Sequence, residues 1–493
     1  MQNIPSVKLG IVAVSRDCFP ITLSQRRRGE VVASFRRAGG ELFEAQTTVE
    51  NETDAMKALA EVQAAGVNAL IVYLGNFGPE GPETLLAEKF GGPAMFVAAA
   101  EEDTAVLSSD RGDAYCGMLN ASYSIGLRGI RPYIPEYPVG TPAEVSAMIA
   151  EFIPVARALL GLRGLKIFSF GPRPYDFLAC NAPIAPLFTL GVNIQENSEL
   201  DLYDAYRKHE GDPRIADVVK DMEAELGEGN TMPGVLPRLA QYELTLLDWA
   251  DANRGAAEYF VFANKCWPAF ESFFGFVPCY VNARLTRRGI PVSCEVDIYG
   301  ALSEYIGACV TEGSVTLLDI NNTVPADMYE AHIKGQYGYS SREVFMGFHC
   351  GSTPMDRLVK GEMRYQLIMK RSLEPDTEPD ITRGTLEGAI QPGPITFYRL
   401  QGNAQGELVS YVAQGEVLPV DPKSFGGIGV FGIPQMHRFY RHVLIAKRYP
   451  HHGAVAFGHV GKPLFTIMKL LGVGDIAFNQ PEGMLYRDEN PFA

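Results

Sequence analysis

Residues 294–322 read CEVDIYGALSEYIGACVTEGSVTLLDINN, with Glu295 near one end and Asp319 near the other. Two carboxylates brought close repel, so one of them keeps a proton at a raised pKa or a cation neutralises the pair. A divalent cation removes the conflict, and the same two groups can take and return protons. The competing reading is two acids capping helices or turns, and Asp297, just before the apolar run, has the place of a helix N-cap. A third ligand would come from the eight histidines, at positions 209, 332, 349, 437, 442, 451, 452 and 459. His451 and His452 form a doublet at the mouth of the strand-like GAVAFGH, and His349 stands at a strand–glycine boundary in GFHCGSTP. His209, His437 and His442 sit among charges and read as surface residues. His459 lies beyond His452 on the same run, and seven extended residues span ~23 Å, more than one coordination sphere. Two carboxylate oxygens and an imidazole with open positions suit Mn²⁺, with Mg²⁺ and Co²⁺ as alternatives. No C-x-x-C pair offers the thiolate spacing of structural zinc.

The elements that must position these groups follow from periodicity. IPVSCE reads as a strand, DIYGALSEYIGACVTEG as a helix ending at Gly313, and SVTLLD as the next strand. Taken as one βαβ unit, the two strands run parallel and put Glu295 and Asp319 at the same carboxyl edge, where open α/β sheets bind ligands. LGIVAVS, NALIVYLGN and PAMFVAAA are buried strands alternating with helical runs, which predicts a parallel α/β layer over residues 1–163. In the helix QRRRGEVVASFRRAGG the run Arg26, Arg27, Arg28 is expected on a solvated face. A second strand–loop–helix series starts at KIFSFGPRP and gives a second α/β domain over 164–340. From there short alternating strands between Gly, Pro and Asn turns predict a β-rich, barrel-like C-terminal domain over 341–493. Arg16, after LGIVAVS, and Asn76 and Phe77, after ALIVYLG, stand at strand ends and are candidates to face a ligand, or else plain turn residues.

The chain has 493 residues, 46% hydrophobic and 20% charged, enough for two or three ordinary cores. A net charge of −15 gives no reason to expect nucleic acid or an anionic membrane as a partner. The eight cysteines, mostly in apolar stretches, read as free buried thiols of a reducing compartment. The N-terminal apolar run is a strand's length without a basic flank, so a soluble cytoplasmic protein is expected.

CEVDIYGALSEYIG, VTLLDINN, FHCGS, PGPITFYRLQG and HHGAVAFGHVGKPLFTIMKLLGV, in this order, resemble the L-fucose isomerase / L-arabinose isomerase family. The resemblance spans most of the chain, most clearly 260–480. It implies a metal held by Glu295, Asp319 and His452, with His349 near a fourth, histidine ligand of arabinose isomerases. It implies aldose–ketose isomerisation through an enediol, with Glu295 and Asp319 as both ligands and acid/base residues. It also implies a homo-oligomer, a hexamer, in which the first domain of one subunit walls the site of another. Arg16, Asn76, Phe77, His349 and His451 would then line the sugar. The family has Asn where His451 stands, GNFGPEG replaces an aromatic-rich loop, and the C-terminus is shorter than in L-fucose isomerases. These departures leave the sugar open among L-fucose, D-arabinose, L-arabinose and a modified hexose such as sulfoquinovose, whose anion would need a cation such as Arg16. The rival readings are an epimerase or aldolase on the same metal site, and a sugar-binding regulator without catalysis.

Overall fold

A strand apolar on both faces must be covered on both, and the first third of the chain rests on three of them. The computed structural model describes residues 3–492. β1 (Leu9–Val14), β2 (Phe43–Glu44), β3 (Ala69–Leu74), β4 (Ala94–Ala99) and β5 (Val139–Gly140) form a parallel sheet in the order β2-β1-β3-β4-β5. Every residue of β1, β3 and β4 is buried. The crossovers are α1 (Ile21–Arg37), α2 (Glu52–Ala64), α3 (Glu80–Phe90) and α4 (Ala114–Arg128), and α5 (Pro142–Arg163) leads out. Asn51 caps α2 by accepting from the Asp54 amide, and left-handed glycines, Gly91 and Gly129, stop α3 and α4. α5 is long and apolar enough to cross a membrane, but Val145, Ile149, Phe152 and Val155 are buried within the protein, as in a core helix. The arginine run departs from expectation. Arg26 is solvated and pairs with Glu30, whereas Arg27 and Arg28 are buried. Arg27 reaches Glu101 at 2.6 Å and the Gly75 carbonyl at 2.8 Å, and Arg28 reaches Glu44 at 2.9 Å. Their long side chains find acids at strand ends, so burial does not leave either charge unpaired.

Pro5–Leu160 is one compact unit, and residues 161–492 with residues 3–4 are another. Asn3 is tied into the second unit by donating to the Phe260 and Gly289 carbonyls, both at 2.7 Å, and accepting from the Phe260 amide. This unit holds two sheets. β6 (Leu165–Phe170), β7 (Asn193–Asn197), β8 (Tyr259–Ala263) and β9 (Val292–Ser293) form a parallel sheet in the order β7-β6-β8-β9. Between and beyond them lie α6 (Ala185–Thr189), α7 (Glu199–Lys208), α8 (Ile215–Leu226), α9 (Leu236–Asn253), α10 (Phe270–Phe274), α11 (Cys279–Arg287) and α12 (Ile298–Thr311).

The other sheet has nine strands: β10 (Val315–Thr323), β11 (Val344–His349), β12 (Glu362–Tyr365), β13 (Arg383–Ala389), β14 (Gly393–Gly402), β15 (Leu408–Leu418), β16 (Gly427–Gly432), β17 (His452–Phe457) and β18 (Asp475–Phe478). Six of them run β16-β11-β10-β17-β14-β15, and β15 pairs back onto β16 through Glu416–Leu418, closing an antiparallel barrel without a free edge. The expectation of two parallel α/β layers and a β-rich, barrel-like C-terminal part therefore describes the sheets. The expected boundary at 340 does not fall between them, because β10 is already a barrel strand.

The expected βαβ unit is also corrected. β9 and β10 belong to different sheets, and β10 runs antiparallel to both of its neighbours. The cause is α12, which is buried on every side from Ile298 to Val310. A crossover helix on one open sheet keeps a polar face, whereas a helix apolar all round is enclosed. Here α12 is packed against β8 of one sheet and β14 and β17 of the other.

Candidate active site

Asp319 and His452 stand directly opposite each other on β10 and β17, so the register of one antiparallel pair puts both side chains on one face. Glu295 reaches them from the other sheet, on the turn between β9 and α12. That turn is unusual: Glu295 and Val296 both have left-handed backbone, at φ 59° and 55°. Side chains with a Cβ avoid this region, a β-branched one most of all, and each such residue costs on the order of 1–3 kcal/mol. The turn is held by the Val296 amide donating to the Asn264 carbonyl at 2.8 Å and by Asp297 capping α12 through the Gly300 amide at 2.8 Å.

The three groups expected as metal ligands converge. His452 Nε2 lies 3.1 Å from Glu295 Oε2 and 3.4 Å from Asp319 Oδ1. All three atoms are buried, and among the described residues none has a hydrogen-bond partner outside this cluster. Leaving buried polar atoms unsatisfied is costly, and a cluster of them calls for a ligand. Donors ~2.1 Å from an octahedral cation stand about 3.0 Å apart along a cis edge, close to both separations here. Glu295 with His451 and His452, and Asp319 with His349 and His452, each bring three donor atoms within 4.8 Å of one another, so the residues around His452 fit a divalent cation.

Asp297 fixes which nitrogen of His452 is free. Its Oδ1 accepts from Gly300 N and Arg399 Nη2, and its Oδ2 from Arg399 Nη1, each at 2.8 Å, and from His452 Nδ1 at 2.9 Å. Four donors saturate the two oxygens, so Asp297 is a carboxylate and Nδ1 carries the ring proton. Nε2 is thereby the nitrogen turned to Glu295 and Asp319, the arrangement that orients metal-binding histidines, and it offers its lone pair once a cation takes the place of its proton. Burial alone would raise the Asp297 pKa, but Arg399 and His452 hold it far below the carboxylate range. Burial likewise opposes charge on Glu295, and the surrounding imidazoles, His452 first, bring its pKa below the ordinary value. His452 is desolvated, yet Asp297, Cys180 and Glu295 push its pKa well up: positive charge is favoured at this spot.

His451 is half-buried beside the cluster, its Nε2 4.0 Å from Glu295 and 3.8 Å from Asp319. Burial and the neighbouring His452 lower its pKa, so it is neutral at pH 7. Phe177 meets its ring edge-on at 5.2 Å. His349 ends β11, and its ring is 5.7 Å from that of His452. Its Nδ1 accepts from the Cys350 amide at 3.0 Å, which puts the proton of the neutral ring on Nε2 and makes that edge a donor. Burial keeps it neutral by lowering its pKa. His459 is elsewhere, donating from Nε2 to the Gly415 carbonyl at 3.0 Å. A cavity of ≈ 460 Å³ adjoins Cys180 and Val296 and is lined also by Arg173, Glu196 and Lys265.

Arg16, Asn76 and Phe77 form a cluster of their own in Pro5–Leu160. The Asn76 side chain accepts from the Arg16 amide at 3.0 Å and donates to Ser15 Oγ at 2.9 Å, joining the ends of β1 and β3. The Arg16 guanidinium sits 5.0 Å over the Phe77 ring and 3.5 Å from Glu80, with 41% of its side chain exposed. Sequence reasoning missed Arg399 and took Asp297 for a cap alone. The available signal was one arginine in the otherwise apolar alternation of PITFYRLQG, a buried charge that requires a buried partner.

Two family profiles match the chain: "Fucose/sulfoquinovose isomerase, N-terminal domain" over residues 10–163, and "L-fucose isomerase, C-terminal domain" over residues 347–477. Among curated proteins, the chain is 30% identical over 347 residues to a sulfoquinovose isomerase of Clostridium sp. (strain MSTE9), covering 68% of this chain and 70% of that one. It is 24% identical over 343 residues to the sulfoquinovose isomerase of Alkalicoccus urumqiensis, with the same coverage of 68% and 70%. It is 28% identical over 158 residues to that of Priestia megaterium, covering 31% and 34%.

Proposed function

The chain belongs to the fucose/sulfoquinovose isomerase family and is an aldose–ketose isomerase, and on that premise we propose that it interconverts sulfoquinovose and its ketose at a divalent-metal centre held by Glu295, Asp319 and His452. The observation that carries this reading is the convergence of three buried, otherwise unpartnered donor atoms, one of them oriented by the Asp297–Arg399 pair. The oxygen-rich donor set with one imidazole favours Mn²⁺, then Mg²⁺ or Co²⁺. When bound, the cation polarises the sugar carbonyl and offsets the negative charge that develops on the substrate.

The protein's own groups then move the protons. Glu295 and Asp319 each have a second carboxylate oxygen beyond the one turned to His452. One carboxylate takes the proton from C2 of the aldose, leaving an enediol, and the same proton or one from solvent is returned to C1. The hydroxyl proton passes from O2 to O1, and neutral His451, which can both donate and accept, stands where it can serve that exchange. His349, with its Nε2–H directed outward from the Cys350 contact, acts as a hydrogen-bond donor rather than a ligand.

An anionic sugar needs a cation outside the metal centre. Arg16, part exposed and braced on Phe77 and Glu80, supplies it in this reading, from the Pro5–Leu160 unit of a neighbouring subunit. The protein is accordingly a cytoplasmic homo-oligomer, a hexamer, with shared sites. The test is to strip metal with chelator, restore Mn²⁺, and follow ketose formation from sulfoquinovose, L-fucose, D-arabinose and L-arabinose. Metal-dependent turnover of sulfoquinovose, absent in Glu295→Gln, is expected. Turnover of the neutral sugars alone overturns the substrate, and turnover that resists chelation overturns the metal.

A further inference from the structure

Helix α4 has two apolar faces. Ala114, Met118, Ala121 and Ile125 face inward and are buried. On the opposite side Tyr115, Leu119, Tyr123 and Leu127 recur at every fourth residue and are 62%, 64%, 70% and 72% exposed. From Tyr115 to Leu127 there is no charged residue, in a chain of net charge −15. A helix face turned to water is normally charged, and a helix apolar all round is one that the native state encloses. The four side chains alone expose on the order of 500 Å², the size at which an apolar patch marks an interaction site.

The order of these residues identifies what covers them. Reversed, Tyr-Leu-Tyr-Leu becomes Leu-Tyr-Leu-Tyr, so the stripe is its own complement. About a two-fold axis at the level of Ala121, Tyr115 faces Leu127 of the partner subunit and Leu119 faces Tyr123 of the partner subunit, each ring against an aliphatic side chain. That reciprocity is the signature of an isologous contact. Two copies of the stripe bury about 1,000 Å² before any rim is added, which reaches the lower bound of a specific interface. We propose that α4 packs antiparallel against α4 of a second copy of this chain as a two-fold interface. The proposal rests on the reading of the protein as a homo-oligomer and names the contact; it is independent of the metal and the sugar.

The test uses the full chain and measures mass by sedimentation velocity for the wild type, Leu119→Lys, Tyr123→Glu and the double variant. Circular dichroism and thermal unfolding confirm that each is folded. Each single variant buries an unpaired charge against the partner and is expected at half the wild-type mass. The double variant sets opposite charges across the axis and is expected to recover the wild-type mass. A monomeric wild type overturns both the oligomer and its interface. An oligomeric wild type whose single variants keep full mass overturns the α4 contact alone. Single variants that dissociate without recovery in the double variant show that something other than α4, from this chain or a different partner, covers the stripe, and the two-fold arrangement falls.

Discussion

Asp297→Asn separates the architecture of the site from its ligands. The substitution keeps the volume and one oxygen, so the cap on Gly300 can persist. It replaces the other oxygen with an amide donor facing two donors, Arg399 Nη1 at 2.8 Å and His452 Nδ1 at 2.9 Å. Turning the amide over only moves the conflict to Gly300 N and Arg399 Nη2. Arg399 is fully buried, and removing the partner of a buried charge costs about 3–5 kcal/mol. His452 can escape by moving its proton from Nδ1 to Nε2, which blocks the lone pair facing Glu295 and Asp319. Loss of such an orienting partner weakens metal binding by about 10–100-fold. Urea unfolding and Mn²⁺ titration calorimetry measure the two effects separately. Adding Arg399→Met removes the stranded guanidinium and is expected to recover much of the stability, offset in part by the contacts it also makes to Gln401 and the His452 carbonyl. It should not recover the metal affinity. Asp297→Asn within ~1 kcal/mol of wild type, with unchanged Mn²⁺ affinity, would refute the tautomer argument.

Three other outcomes follow from particular residues. Burial pushes Glu271 up to about 8, and neither of its oxygens has a hydrogen-bond partner among the described residues. Its folded pKa lies above the unfolded value, so the neutral acid is tolerated below pH ~4.5 and stability falls as pH rises toward 8; Glu271→Gln should therefore gain ~3 kcal/mol at pH 7 and nothing at pH 4, and an equal effect at both refutes this. A Cβ on Gly307 would lie 1.8 Å from the Tyr398 hydroxyl, which is fixed by the Ser303 carbonyl. Gly307→Ala, worth about +1 kcal/mol on an open helix, should instead destabilise by ~1–3 kcal/mol in thermal unfolding. Arg16→Ala and Glu295→Gln subunits, each inactive alone, should regain activity when mixed and exchanged, and no recovery despite proven exchange places the whole site in one chain.

The proposed ligands were readable where a local pattern carried them. The H-G step at His452 marks the start of β17, whereas Asp319, expected at a strand end, lies in the middle of β10, and the apolar strands LGIVAV, ALIVYL and AMFVAA fixed the first parallel layer. The relation between Glu295 and Asp319 was misread because a strand–helix–strand string does not state which sheet each strand joins. The distinguishing signal lay in α12, which is apolar apart from Ser303, Glu304 and Thr311 and is enclosed between two sheets. Asp297–Arg399 escaped because the pairing spans 102 residues, and no periodicity reports a contact at that distance. The pairing of β10 with β17, which sets Asp319 opposite His452, is long-range in the same sense. The burial of Arg27 and Arg28 depended on acids at distant strand ends, which a helix read by itself does not show.

The account's central claim is that a carboxylate of the Glu295–Asp319 pair moves a carbon-bound proton between C2 and C1 of an anionic aldose. Proton NMR of the Mn²⁺-loaded protein with sulfoquinovose in D₂O tests it directly. The site is open at His451, whose side chain is 32% exposed, so the abstracted proton can exchange with solvent. Ketose carrying deuterium at C1, lost on chelation and in Glu295→Gln, is the predicted result. A C2-epimeric aldose without ketose, or deuterium entering C1 to the same extent after chelation or in Glu295→Gln, would contradict it.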